Sequence, residues 1–189
     1  MTTKITLEIQ SGSFKGKKIF PPAPIQGHSN FTPSLLKKTI FSVIESEFLS
    51  GNIQKENAVF IDLFSASGQM GVEAVSRGIK RSILFELDAK RFQLLKKTIS
   101  GFEGDFSLNH KDSFRALNKI SLKDDEFPIF FLDPPYSFWK ENKKIFDFCK
   151  EIEDLFKSFI ILIQCPNEIS RDGYEIKGKG NNRLLVRKV

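Results

Sequence analysis

The stretch Ala58-Val59-Phe60-Ile61-Asp62-Leu63-Phe64-Ser65-Ala66-Ser67-Gly68-Gln69-Met70-Gly71 decides the fold. Its first half is a nearly unbroken apolar run, the pattern of a parallel strand buried on both faces. Its second half is a turn of small residues that leads into a helix expected over about Met70–Ser76. Small residues let a backbone approach a ligand closely. Strand-then-helix patterning repeats downstream: strand Ser82–Glu86 with a helix from Ala89 to about Ile99, then a weaker strand Asp105–Leu108 with a short helix from Ser113. Strand Ile129–Leu132, a helix near Lys140–Phe156 and strand Phe159–Ile163 continue the alternation, and Gly178–Arg187 reads as a final hairpin. Alternating units of this kind imply an α/β fold, a mostly parallel doubly wound sheet with helices on both faces.

Upstream of that core the periodicity differs. Lys4–Ile9 alternates polar and apolar residues, Ser11-Gly12-Ser13 turns the chain, and Phe14–Ile19 returns it. We read this as a basic N-terminal β-hairpin within residues 1–24, closed by Pro21, Pro22 and Pro24. Thr32-Pro33 predicts an N-cap with proline at the first helical position. Leu36, Ile40, Val43, Ile44 and Phe48 then mark one face of a helix in segment 32–50. At 189 residues the chain is expected to be one domain, with the sheet core at 58–189.

Composition narrows the function classes. No apolar stretch reaches the length of a membrane span, and the first residues lack a signal-peptide core. Two cysteines, Cys149 and Cys165, are too few for a disulfide scaffold, so a reduced cytoplasm is the expected setting. His28 and His110 have no partner at ligand spacing, and no metal is expected. The net charge of +6 sits at the ends: residues 1–40 carry six lysines against Glu8, and residues 171–189 carry six basic residues against Asp172 and Glu175. Basic ends on a near-neutral body suggest a polyanionic partner.

Ligands of open α/β sheets bind beyond the carboxyl ends of the strands. Four acids fall there, one per strand unit: Asp62, Glu86, Asp112 and Asp133. Glu86 stands where doubly wound folds place a carboxylate for the ribose hydroxyls, and Asp112, beside Ser113, can accept from an adenine amine. There is no G-x-G-x-x-G and no G-x-x-x-x-G-K-[ST], which disfavours a pyrophosphate or a triphosphate. An adenosine ligand without phosphate fits better, and S-adenosylmethionine is the cofactor expected. Asp133-Pro134-Pro135-Tyr136 supplies matching chemistry. The lone pair of an exocyclic amine on a base is delocalised into the ring. A carboxylate and the carbonyl of Pro134 can accept its two hydrogens and aim the lone pair at a methyl donor. Prolines hold these acceptors at fixed φ, and Tyr136 offers a flat face to a base taken out of its stack.

These motifs together resemble the bacterial 16S rRNA (guanine-N2)-methyltransferase family, class I enzymes on a Rossmann-like sheet. The resemblance rests on Ile9–Ile19, Asp62–Gly68 with Gly71–Gly78, Phe85-Glu86-Leu87-Asp88, Asp112 and Asp133–Tyr136. It implies methyl transfer from S-adenosylmethionine to the N2 amine of a guanine in 16S rRNA, either free or in the assembling small subunit, by an enzyme expected to be a monomer. It also implies a cofactor site at Asp62, Phe64, Ser65, Ala66, Ser67, Gly68, Glu86, Leu87, Asp112 and Ser113, and catalysis at Asp133, Pro134, Pro135 and Tyr136. RNA contacts are expected at Lys15, Lys17, Lys18, Thr32, Lys37 and Arg183. The chain departs from the family pattern at two places: Ala66 where glycine is usual, and Asn30-Phe31-Thr32, Leu35 and Lys37 where the family carries Arg-Pro-Thr and further arginines. Two alternatives stay open at this level, a DNA adenine-N6 methyltransferase and a catalytically weakened RNA-binding relative.

Overall fold

A computed structural model describes residues 6–22, 32–178 and 182–189. The near-continuous apolar runs become strands β3 (Ala58–Asp62), β6 (Phe127–Leu132) and β7 (Ile160–Pro166), which are buried almost throughout. Between and around them lie β4 (Arg81–Phe85), β5 (Asp105–Asn109), β8 (Glu175–Lys177) and β9 (Asn182–Lys188). The seven form one sheet in the order β5-β4-β3-β6-β7-β9-β8. The first five strands run parallel, and β9 and β8 pair antiparallel at the end. The strand order reverses between β3 and β6, so the crevice at a topological switch point opens beside Asp62 and Asp133.

Alternation along the strands splits the core between the two faces. Ile61, Phe130, Ile161 and Ile163 face the side covered by α4 (Lys143–Leu155). Phe60, Ile129, Phe131 and Leu162 face α1 (Ser34–Leu49) and the start of α2 (Gln69–Ser76). On the second face Phe41, Phe60 and Phe131 form a stacked row with centroids 6.0 Å apart, which shows what part of the abundant phenylalanine fills. Helix α3 (Ala89–Ile99) begins at Asp88, whose side chain accepts the Arg91 N–H.

The N-terminal hairpin is present. Among the described residues β1 (Leu7–Glu8) pairs with β2 (Lys18–Ile19), and Lys4 and Ile5 lie outside them. Leu7, Ile9 and Ile19 bury against Val72, Leu84, Leu95 and Ile99 of α2, β4 and α3. The hairpin's turn docks on the C-terminal end of α2. Ser13 N–H donates to Ser76 O at 2.8 Å, and Gly12 (φ +83°) approaches so closely that a Cβ would lie 1.7 Å from that oxygen. No residue but glycine fits.

Three sequence expectations change. Pro33, at extended ψ, is the residue before α1, and no side chain caps it. Thr32 turns instead toward Asp133. The last hairpin begins before Gly178, with β8 at Glu175–Lys177 pairing antiparallel to β9 as the edge strand. Finally, Lys37 reaches no surface. It is 1% exposed, and its Nζ donates to Glu8 O at 2.9 Å beside Glu73 Oε2 at 3.4 Å. A lysine sealed into an ion-paired core cannot touch an RNA phosphate, so its assignment to RNA is overturned. Glu73 also accepts from Gln10 N–H and from Arg77, and Arg77 reaches on to Glu45.

Candidate active site

The four acids do converge. Asp62 ends β3, Glu86 follows β4, Asp112 follows β5 and Asp133 follows β6, and all four line one cavity of about 290 Å³. That size sits at the lower end of the range for small-molecule sites, ~300–1,000 Å³. Phe64, Ser65, Ala66, Ser67, Leu87, Ser113, Pro134, Pro135 and Tyr136 share its wall. Gly68 does not. Its missing Cβ faces Leu95 of α3, where a methyl would lie 2.5 Å from Cδ1, so helix packing requires this glycine.

The turn after β3 is braced from inside. Ser65 donates its N–H to Phe85 O and its hydroxyl to Asp62 O, both at 2.9 Å. Asp62 Oδ1 accepts Phe64 N–H at 3.1 Å. Ala66 holds φ at +47°, in the left-handed region that favours glycine. The glycine usual at this position thus has a backbone reason, and alanine carries strain there. The same Ala66 donates its N–H to Glu86 Oε2 at 3.0 Å, while Asp88 N–H reaches Glu86 Oε1 at 2.8 Å. Both oxygens are fixed in place, and each keeps a second lone pair for a ligand. Asp112 Oδ1 accepts Phe114 N–H at 3.1 Å and caps a short turn at Ser113–Arg115.

On the β6 side, Thr32 Oγ1 donates to Asp133 Oδ2 at 3.4 Å. Thr32 is buried. It also lines the cavity, beside the motif's carboxylate. Pro134 is buried, Pro135 holds φ −50° and accepts Phe138 N–H at 2.9 Å, and Tyr136 is half exposed at the mouth. Phe64, Phe114 and Phe138 make an aromatic wall, with Phe114 and Phe138 stacked at 5.7 Å. Lys144 Nζ lies over Phe114 at 4.3 Å.

The carboxylates are poorly solvated, and that sets their proton affinity. Burial pushes Asp133 up to about 7 against the opposing hydrogen bond from Thr32. Asp62 rises to about 8, first through burial and then through the neighbouring carboxylates of Asp133 and Glu86, against the Phe64 N–H. Burial raises Glu86 as well. Carboxylates whose proton affinity burial raises in a cleft are candidates for a functional site.

The expected RNA contacts do not cluster. Lys15, Lys17 and Lys18 are exposed, but the turn that carries Lys15 and Lys17 sits at the end of α2 away from the cavity. Lys17 also lies over the rings of Phe14 and Phe102. Arg183 pairs opposite Cys165, a cavity residue, so it stands at the level of the site. Sequence reading missed Gln69, Phe114, Phe138 and Gln164, which also line the cavity. Gln164 left a legible signal, a polar residue at the end of an apolar strand.

Residues 7–177 match the family described as Conserved hypothetical protein 95. The chain belongs to that family. Among curated relatives it is similar to "Putative rRNA methyltransferase YlbH" of Bacillus subtilis strain 168, 32% identical over 170 residues that cover 89% of this chain and 79% of that one. It is also similar to ribosomal RNA small subunit methyltransferase D of Buchnera aphidicola subsp. Acyrthosiphon pisum, 34% identical over 130 residues that cover 68% of this chain and 62% of that one. The solved structure of a hypothetical protein from Thermus thermophilus superposes with a TM-score of 0.72 at 21% identity, covering 97% of this chain and 99% of that one. The fold is that of the class I S-adenosylmethionine-dependent methyltransferases. Among the described residues no cluster could hold a metal ion, and no helix is long and apolar enough to cross a membrane.

Proposed function

We propose that this chain methylates the exocyclic N2 amine of a guanine in 16S rRNA, using S-adenosylmethionine. The observation that carries the reading is Asp133-Pro134-Pro135-Tyr136, placed at the mouth of the cavity that Glu86 and the Ser65–Ser67 turn also line. The residues present fit the cofactor. Glu86 offers two backbone-anchored oxygens to a ribose diol, Asp112 offers an acceptor to an adenine amine, and Leu87, exposed at the rim, offers apolar cover. When bound, S-adenosylmethionine supplies a methyl group on a positively charged sulfur.

Asp133 and the Pro134 carbonyl would accept the two hydrogens of the target amine and turn its lone pair toward that methyl. Once the amine has taken the methyl group, Asp133 would accept the nitrogen's surplus proton. A carboxylate with a pKa of about 7 is matched to hold that proton near neutral pH and release it to water afterwards. Tyr136, half exposed at the mouth, would stack on the flipped base. Arg183 beside the mouth, with Lys15, Lys17 and Lys18 along the hairpin, would hold the RNA by its phosphates. The relatives named for rRNA methylation support this choice of substrate. Its test is nucleoside mass analysis of small-subunit rRNA from a deletion strain. One N2-methylguanosine should vanish, return with the wild-type gene and stay absent with Asp133→Ala. An unchanged nucleoside profile would remove the substrate assignment.

A further inference from the structure

Gln164 interrupts the apolar run of β7, and its side chain is 5% exposed within the wall of the active-site cavity. Its Oε1 is buried and accepts no hydrogen bond. A buried acceptor left unpaired costs about 1–3 kcal/mol, so its retention calls for a partner that arrives with the substrate. Leu132 of β6 pairs with Ile163 of β7, with Asp133 just past the end of β6 and Gln164 the next residue of β7, and both line the cavity. Gln164, two residues beyond Leu162, lies on the α1 face, and the Thr32 hydroxyl reaches Asp133. A carboxylate and a carboxamide therefore open onto the same cavity.

We propose that Gln164 is a specificity-determining residue: its Oε1 accepts the N1–H of the target guanine while Asp133 holds the adjoining N2 amine. On guanine these two groups are neighbouring donors on one edge, so two neighbouring acceptors match them. On adenine the neighbour of the N6 amine is N1, an acceptor, which would face the carboxamide oxygen and leave both unpaired. Sites that hydrogen-bond a particular group discriminate strongly against substrates lacking it, because their own buried polar atoms are then stranded. This inference rests on the reading of Asp133 as the residue that holds the target amine.

The test compares wild type, Gln164→Met and Gln164→Glu on small-subunit rRNA and small subunits from a deletion strain, with tritiated S-adenosylmethionine and nucleoside analysis of the product. Methionine keeps the volume and removes the acceptor, whereas glutamate keeps an acceptor oxygen whether or not burial protonates it. We expect wild type to form N2-methylguanosine and Q164M to lose at least about tenfold in kcat/KM, the scale of one hydrogen bond. Its S-adenosylhomocysteine affinity and Tm should be retained, and Q164E should stay within a few-fold of wild type at pH 8. If Q164M melts early, Q164E decides alone, since a side chain that keeps the acceptor oxygen must preserve guanine methylation. Equal kcat/KM for Q164M and wild type, or a Q164E as impaired as Q164M, would overturn the role of Gln164 and leave the proposed function standing. N6-methyladenosine as the wild-type product would overturn the guanine reading itself, and this inference with it.

Discussion

Two regions of this molecule bury charge, and they do so in opposite ways. Under the hairpin, Lys37, Glu73 and Arg77 are sealed together, and each charge meets an opposite one. In the cavity, Asp62 and Asp133 lie among carboxylates, with Glu86 beside them, and burial raises all three. The first arrangement is finished without a ligand and fixes the hairpin to α1 and α2. The second is completed by something that brings hydrogen-bond donors. Paired burial reads as architecture, and like-charged burial as a site waiting for substrate.

The hairpin network is the place to break the comparison hardest. Removing one partner of a buried pair leaves an uncompensated charge, a loss of about 3–5 kcal/mol. Glu73→Gln strands the buried Lys37, while Arg77 keeps Glu45, and should lower stability by that amount in urea unfolding at pH 7. A loss under about 1 kcal/mol would mean that the network is solvated and does not staple the hairpin.

Asp133→Ala should act on the other side of the contrast. We expect turnover to fall at least ~100-fold, the scale for one preorganised polar group, while S-adenosylhomocysteine affinity changes less than threefold and the Tm holds. Near-normal turnover would take Asp133 out of the chemistry. The pH profile sharpens the point: in wild type kcat/KM should rise with pH through an apparent pKa near 7, because the carboxylate form accepts the amine hydrogens.

Asp62 tests whether like-charged burial destabilises the empty protein. Its folded pKa of about 8 lies above that of the unfolded chain, near 4. The folded state therefore binds more protons between about pH 4 and 8, and stability falls as pH rises through that window. Even a third of the free energy implied by that displacement is about 2 kcal/mol. Asp62→Asn removes the titration and should raise Tm at pH 8 by at least ~4 °C, with a gain that shrinks toward zero by pH 4. A gain independent of pH would show that Asp62 does not titrate as its burial requires.

The contrast also separates what can be read from the chain from what cannot. Strands β3, β6 and β7 are legible because both faces are buried and the apolar runs are continuous. The strand-end acids follow from topology alone, since every βα unit delivers its carboxyl end to one edge of the sheet. Lys37 misleads because a helix position does not reveal that Glu8 O and Glu73, from distant segments, close over it. Thr32 misleads as an N-cap for a similar reason: one hydroxyl can cap a helix or reach a distant carboxylate, and only the tertiary approach to Asp133 selects between them. Gln164 escapes notice because the apolar run looks complete at Ile163, yet the strand continues to Pro166.

The smallest expected effect falls on Ala66, where backbone strain and ligand contact meet. At φ +47° a non-glycine residue carries about 1–2 kcal/mol of steric penalty. Glycine removes that penalty but adds about 0.4–1 kcal/mol of chain entropy to the unfolded state. The net effect of Ala66→Gly is thus a stabilisation of about 0–1.6 kcal/mol, seen as a Tm rise of up to roughly 6 °C. The N–H that anchors Glu86 Oε2 survives the change, so cofactor affinity should hold or tighten as the methyl leaves the cavity wall. Calorimetry with S-adenosylhomocysteine on the two proteins decides it. A lower Tm together with weaker binding would mean that this turn is built around the alanine side chain, and that the strain at residue 66 is offset by contacts the methyl makes.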